Sequence, residues 1–145
     1  MNSKGILISG AVAGLMIIVI GVGLIPIVGD QMDLALAERS VPPLSNGAKA
    51  YFGVMSFGLG MAMMWVYAFV RQRFGTSLRA ALTVASFFWF FTYFWSNAAL
   101  VAYGFLPLEI AAIGTVYGFV ELVAATVIGA RIYKTNKSHG NAENV

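Results

Sequence analysis

The feature that most narrows what this chain can fold into is the scarcity of charge across four long windows, Gly5 to Val28, Ala48 to Val70, Ala80 to Tyr103 and Leu108 to Ile132. A helix rises about 1.5 Å per residue, so roughly 20 apolar residues cross a hydrocarbon core of about 30 Å, and each window is long enough. Across the whole chain only 10% of residues are charged, against about 25% in soluble domains. Mean hydropathy is +0.81. The expected fold is therefore all-α: one membrane domain, residues 1–145, built as a four-transmembrane-helix bundle. Its spans are expected at about 5–28, 48–70, 80–103 and 108–132, with a loop at 29–47 and a polar tail at 133–145.

The charges orient this bundle. Lys4, Arg71, Arg73, Arg79, Arg131, Lys134 and Lys137 fall on one side, and only Arg39 and Lys49 on the other. By the positive-inside rule both termini are expected in the cytoplasm, an N-in/C-in arrangement in a bacterial inner membrane. The net charge of +3 then reads as a topology signal, and no nucleic-acid partner is expected. The basic start at Lys4 and Ala35-Leu36-Ala37 also fit a signal peptide. Its apolar part is longer than a usual signal core, however, and Asp30 and Asp33 intervene, so the first segment is expected to stay as a span.

With no cysteine, disulfides, thiolate metal sites, iron–sulfur clusters and redox thiols are excluded. The single His139 lies in the polar tail, so this chain alone cannot hold a haem between two histidines. No metal and no cofactor are expected beyond a bound lipid or pigment. Asp30 and Asp33 read as solvated acids of the loop, because hard cations want six or more oxygens. Met61, Met63 and Met64 read as interior filler rather than a Cu(I) site, since no His or Cys stands near them. No glycine-rich phosphate loop and no nucleophilic triad is present, and GxG at Gly21–Gly23 and Gly58–Gly60 lies within apolar helices. No enzymatic activity is expected.

Packing and end signals are local. Gly10 and Gly14, with Gly21 on the same face, form a stripe on which a neighbouring helix can approach closely, and Gly60 is expected to serve the second span in the same way. DQMDLALAER, within the loop, suits a short interfacial helix stopped by Pro42-Pro43. Trp65 and Tyr67 are expected at the inner interface. Gly75 is expected to close the second helix, and Thr76 or Ser77 to cap the third. KTNKSHGNAENV is expected to fray.

Two features carry chemistry. SFFWFFTYFWSN, Ser86 to Asn97, is so rich in rings that they cover every face of the helix, and some, such as Phe88 and Phe91, must look outward. Ser86, Trp89, Tyr93 and Asn97 recur at helical spacing as the one stripe with polar handles. Asn97 in hydrocarbon should find a partner on another helix.

The second feature is Glu121, which shares a face with the small residues Gly114, Gly118, Ala125 and Gly129 and so faces the bundle. An ionised carboxylate at mid-bilayer costs at least ~2.5–3.5 kcal/mol unless paired, and no Lys or Arg is expected at its depth. Glu121 is therefore expected to be held protonated, or to be paired by another subunit or a bound cation. Counting along the spans puts it level with Trp89 to Tyr93, Gly60 and Gly14, so the glycines leave space opposite it and Trp89, Thr92 or Tyr93 can donate to it. The candidate proton or ligand site comprises Glu121, Trp89, Thr92, Tyr93, Asn97 and Tyr117; Gly10, Gly14, Gly60, Gly114 and Gly118 are the candidate packing glycines.

The size, four spans and single deep glutamate resemble the small multidrug-resistance transporters in architecture. Those carry their glutamate in the first span, where this chain has no ionisable residue after Lys4, so no residue role carries over. GTVYGFVELVAATVIGARIYK and FGTSLRAAL are similar to segments of uncharacterised small bacterial four-span membrane proteins, a likeness that implies no activity. Two functions are expected from different classes. The first is a structural or accessory subunit whose aromatic third helix meets a partner in a larger membrane complex, a lipid or a pigment. The alternative is a proton-linked small-solute carrier or channel, a homo-oligomer, using Glu121 with Trp89 and Tyr93.

Overall fold

The computed structural model describes residues 3–74 and 77–142, with side chains at 3–74 and 78–133. All regular structure among them is helical: α1 (Ser3–Val22), α2 (Ile25–Ala37), α3 (Asn46–Phe74), α4 (Ser77–Trp89), a π-helical segment (Phe90–Trp95), α5 (Ser96–Ala102) and α6 (Leu108–Ala142). Trp89 and Ser96 keep helical dihedrals at the junctions, so α4, the π segment and α5 form one rod. Four rods, Ser3–Val22, Asn46–Phe74, Leu78–Ala102 and Leu108–Tyr133, are long and apolar enough to cross a membrane. Their outward faces carry Leu7, Leu15, Val19, Val54, Phe69, Phe91 and Val120, a surface compatible with an integral membrane protein.

α1 lies in the groove between α3 and α6, and α4 packs against α6 and α3. One end of the bundle, the terminal end, carries Ser3, Phe74 and Tyr133; the loop end carries residues 38–45 and the turn at 103–107. The main core fills the terminal half, where Met63, Met64, Tyr67, Val84, Leu122 and Ala125 are sealed from solvent. At the loop end Val28 and Ala35 of α2 meet Leu106, Ile110 and Ala111. The methionine side chains at 63 and 64 act as core filler, and Met64 lies against Gly129.

α1 and α3 approach at glycine. A Cβ on Gly60 would run into the backbone of Gly14, one on Gly14 would lie 2.8 Å from Phe57 Cα, and one on Gly10 would lie 3.0 Å from Met61 Cα. These two helices therefore touch backbone to backbone, which only hydrogen side chains allow.

Several boundaries differ from expectation. The first span ends at Val22 rather than Val28, and the short helix expected within the loop is present as α2 but starts earlier, at Ile25, and ends at Ala37, ahead of Pro42-Pro43. Pro26 has no N–H with which to continue the ladder but suits the first turn of a new helix, where it sits. α2 ends with Ser40 at φ 56°, the Val41 N–H bonding to Leu36 O at 3.0 Å, a closure that glycine usually supplies. Gly104, at φ 73°, closes α5 in the same manner, with Phe105 N–H on Leu100 O at 2.9 Å. Arg39 ties the two closures together, donating from Nε to Gly104 O (2.8 Å) and from Nη1 to Ala35 O (2.7 Å).

Tyr67 turns into the bundle, fully buried and edge-on to Tyr133 at 6.0 Å, whereas Trp65 is exposed. The tail expected to fray continues α6 as helical backbone to Ala142, there being no proline to interrupt it. The helix-end roles expected of Gly75, Thr76 and the Ser77 side chain lie outside the described residues.

Candidate functional site

Three polar side chains of the aromatic rod turn towards α6. Trp89 Nε1 donates to Thr115 O at 2.8 Å. Tyr93 Oη donates to Glu121 Oε2. Asn97 Nδ2 donates to Thr115 Oγ1 at 2.9 Å, and Thr115 Oγ1 in turn donates to Ala111 O at 2.7 Å.

The π segment is what aligns them. In an α-helix a four-residue step overshoots a full turn by about 40°, so residues 89, 93 and 97 would drift off a straight neighbour. A π turn closes over one more residue and rotates less per residue, which removes the drift. Ser86, the first member of the expected stripe, lies below the π segment and is exposed.

α6 receives these side chains on glycine. A Cβ at Gly118 would collide with the Tyr93 ring, and one at Gly114 would stand 3.6 Å from Asn97 Nδ2. The Tyr93 ring therefore lies directly on the α6 backbone, which brings its hydroxyl to the carboxyl group one turn further on. Glu121 is 2% exposed.

Glu121 and Tyr93 form the floor of a cleft of about 380 Å³ between α1 and α3, walled by Ile17 and Gly21 on one side and Phe52, Gly53 and Ser56 on the other. The second carboxylate oxygen, Oε1, lies on the Gly21 side, 3.1 Å from where a Cβ would stand. Lys49, about two helical turns towards the loop end from Ser56, is the one cation on the lining. The main core closes the terminal half of the bundle below this floor. A carboxyl group with one hydroxyl donor, set in apolar walls, suits a proton or the cationic end of an otherwise apolar solute.

Of the three donors offered for Glu121, the structure selects Tyr93. Trp89 and Thr92 do not donate to Glu121: the first bonds to Thr115, and Thr92 Oγ1 donates to Phe88 O of its own helix at 2.8 Å on the exposed side. Tyr117, a candidate for the same site, donates from Oη to Ile20 O at 2.6 Å, a carbonyl at the end of α1 that also accepts from Gly23 N–H at 2.9 Å. Gly14 and Gly60 are spent on each other; the glycine beside Glu121 is Gly21, because α1 touches both α3 and α6. Phe88 is half-buried against the main core, so the outward rings are Phe87, Phe90, Phe91, Phe94 and Trp95.

The cleft walls and the π segment were missed in the sequence. The spacing of Gly53 and Ser56 on one face of α3 was a usable signal, but Lys49 read only as a loop-side charge and nothing in the aromatic run marks a π turn. Among the described residues no three His, Cys, Asp or Glu side chains gather as a metal site. Comparison of the chain with protein-family models, with curated proteins and with solved structures finds no match.

Proposed function

We propose that this chain is a small integral membrane protein that carries or conducts a small amphipathic cation in exchange for a proton at Glu121. The observation that supports this reading is the Tyr93–Glu121 pair at the floor of the cleft of about 380 Å³. That volume falls within the ~300–1,000 Å³ typical of small-molecule sites. Apolar walls favour the body of the solute, the carboxylate its positive end, and protonation of the carboxylate releases it. Lys49 at the cleft lining repels a cation until Glu121 attracts it, and so favours solutes whose charge sits at one end. The basic residues at the terminal end support N-in/C-in insertion in a bacterial inner membrane, which opens the cleft to the outside.

The deciding experiment is binding and flux of a tritiated aromatic quaternary cation in proteoliposomes with an imposed pH gradient. Glu121→Gln keeps the shape and the Tyr93 bond, so the fold should survive while gradient-driven flux and pH-dependent binding are lost. Flux in Glu121→Gln equal to that of the unaltered protein would defeat the proposal.

A second reading has its own observation. The rod Leu78–Ala102 is the least buried of the four, and its outward face presents Phe87, Phe90, Phe91, Phe94 and Trp95. An accessory subunit of a larger membrane complex would use this surface. Replacing Phe87 and Phe91 by Leu should then shrink the complex recovered in native mass spectrometry; an unchanged mass would exclude it.

A further inference from the structure

Arg71 lies one residue beyond the apolar run of α3, in its last turn. Its Nη1 is buried and has no hydrogen-bond partner among the described residues. The guanidinium carbon stands 5.7 Å from the centre of the Tyr133 ring, and Tyr133 is fixed by its edge-on contact with the buried Tyr67. A cavity of about 150 Å³ adjoins them, bounded by Ala68, Arg71, Gln72 and Tyr133, room for about five waters or one tetrahedral anion.

A guanidinium carries five N–H donors and no acceptor, and leaving a buried donor without a partner is unfavourable, more so when it is charged. No carboxylate of the described residues answers it. Asp30 and Asp33 of α2, Glu38 just after it and Glu109 at the start of α6 lie towards the loop end, and Glu121 is bound by Tyr93 about 18 Å along α6 from Tyr133. Glu143 lies outside the described residues. The Tyr133 ring compensates the charge but accepts no in-plane N–H. What the cavity lacks is an anionic oxygen, and Arg71 stands at the edge of the apolar segment, the depth at which lipid phosphates lie.

We propose that this cavity is an anion site in which Arg71 and the Gln72 amide hold phosphate oxygens, with Tyr133 orienting the guanidinium from behind. The chemistry is that of a phosphate group, carried either by an anionic phospholipid headgroup or by free phosphate. It is separate from the Glu121 cleft and independent of what that cleft binds.

The test uses the full chain in neutral detergent micelles, titrated with phosphatidylglycerol and read by native mass spectrometry, and separately with inorganic phosphate, read by thermal shift. One charge-assisted hydrogen bond corresponds to about a tenfold change in affinity. Arg71→Gln should therefore weaken binding about tenfold, Gln72→Leu should weaken it less, and Arg73→Gln, on the exposed neighbour, should leave it unchanged. A tight adduct with phosphatidylglycerol alone assigns the source to lipid, and stabilisation by inorganic phosphate assigns it to the free anion. Binding of neither probe to the unaltered protein, a measurement that needs no variant to fold, overturns the site, as does equal loss in Arg71→Gln and Arg73→Gln.

Discussion

Tyr93 donates its hydroxyl to Glu121 across the contact between the π-helical segment and α6, and this bond exists because position 118 is glycine. The acid is thereby anchored on one oxygen while the other stays on the cleft side near Gly21. Tyr93→Phe keeps the ring and removes the donor. The expected cost is about 1 kcal/mol, because the carboxyl loses the one hydrogen-bond partner it has among the described residues. Reversible unfolding in mixed micelles measures it; a change below the error of the method would show that the bond contributes nothing.

Gly118→Ala pushes a methyl group into the Tyr93 ring, and overpacking of this kind costs about 1–3 kcal/mol. The clash is with the ring alone, so the same substitution in a Tyr93→Ala background should cost much less. A double-mutant cycle is expected to show coupling of at least ~1 kcal/mol. Additive effects would mean that the ring does not rest on Gly118.

The glycines of α3 separate into two kinds. Gly60→Ala meets the Gly14 backbone, which cannot move without parting α1 from α3, whereas a Cβ on Gly58 meets nothing within 4 Å. Gly60→Ala is expected to destabilise by about 1–3 kcal/mol, and Gly58→Ala to stabilise by up to about 1 kcal/mol through helix propensity. Thermal denaturation in detergent distinguishes them, and similar shifts for both would contradict the close approach.

Asn97 and Thr115 form the second bond between side chains of the rod and α6, at 2.9 Å. Pairs of this type within membranes average about 0.6 kcal/mol in double-mutant cycles. An Asn97→Leu, Thr115→Val cycle should return about that coupling. Because Trp89 bonds to the backbone carbonyl of Thr115 and not to its side chain, that contact should persist in both variants, with unchanged tryptophan emission.

Ser40 closes α2 in the left-handed region, where a Cβ costs about 1–2 kcal/mol. Ser40→Gly relieves this and loses some chain entropy, so a net gain of up to about 1 kcal/mol is expected. A lower melting temperature would show that the Ser40 conformation carries no strain.

Four apolar rods and one deep acid are legible in the residues themselves, because lipid crossing needs only length, hydropathy and helical pairing of the backbone, all of which are local. The inward face of Glu121 follows from spacing alone, since Gly114, Gly118 and Gly129 share its side of α6 and small residues mark helix contacts. The partner of that acid does not follow from spacing. Trp89, Thr92 and Tyr93 all lie within a turn of one another, and the choice of Tyr93 rests on a π turn and on the Gly118 seat that admits its ring. In the same way Gly10, Gly14 and Gly21 occupy one face of α1, yet the first two meet α3 and the third meets Glu121. A helical period specifies direction from one axis; which neighbour stands in that direction at each height depends on how the axes cross, and that is a property of the assembled bundle.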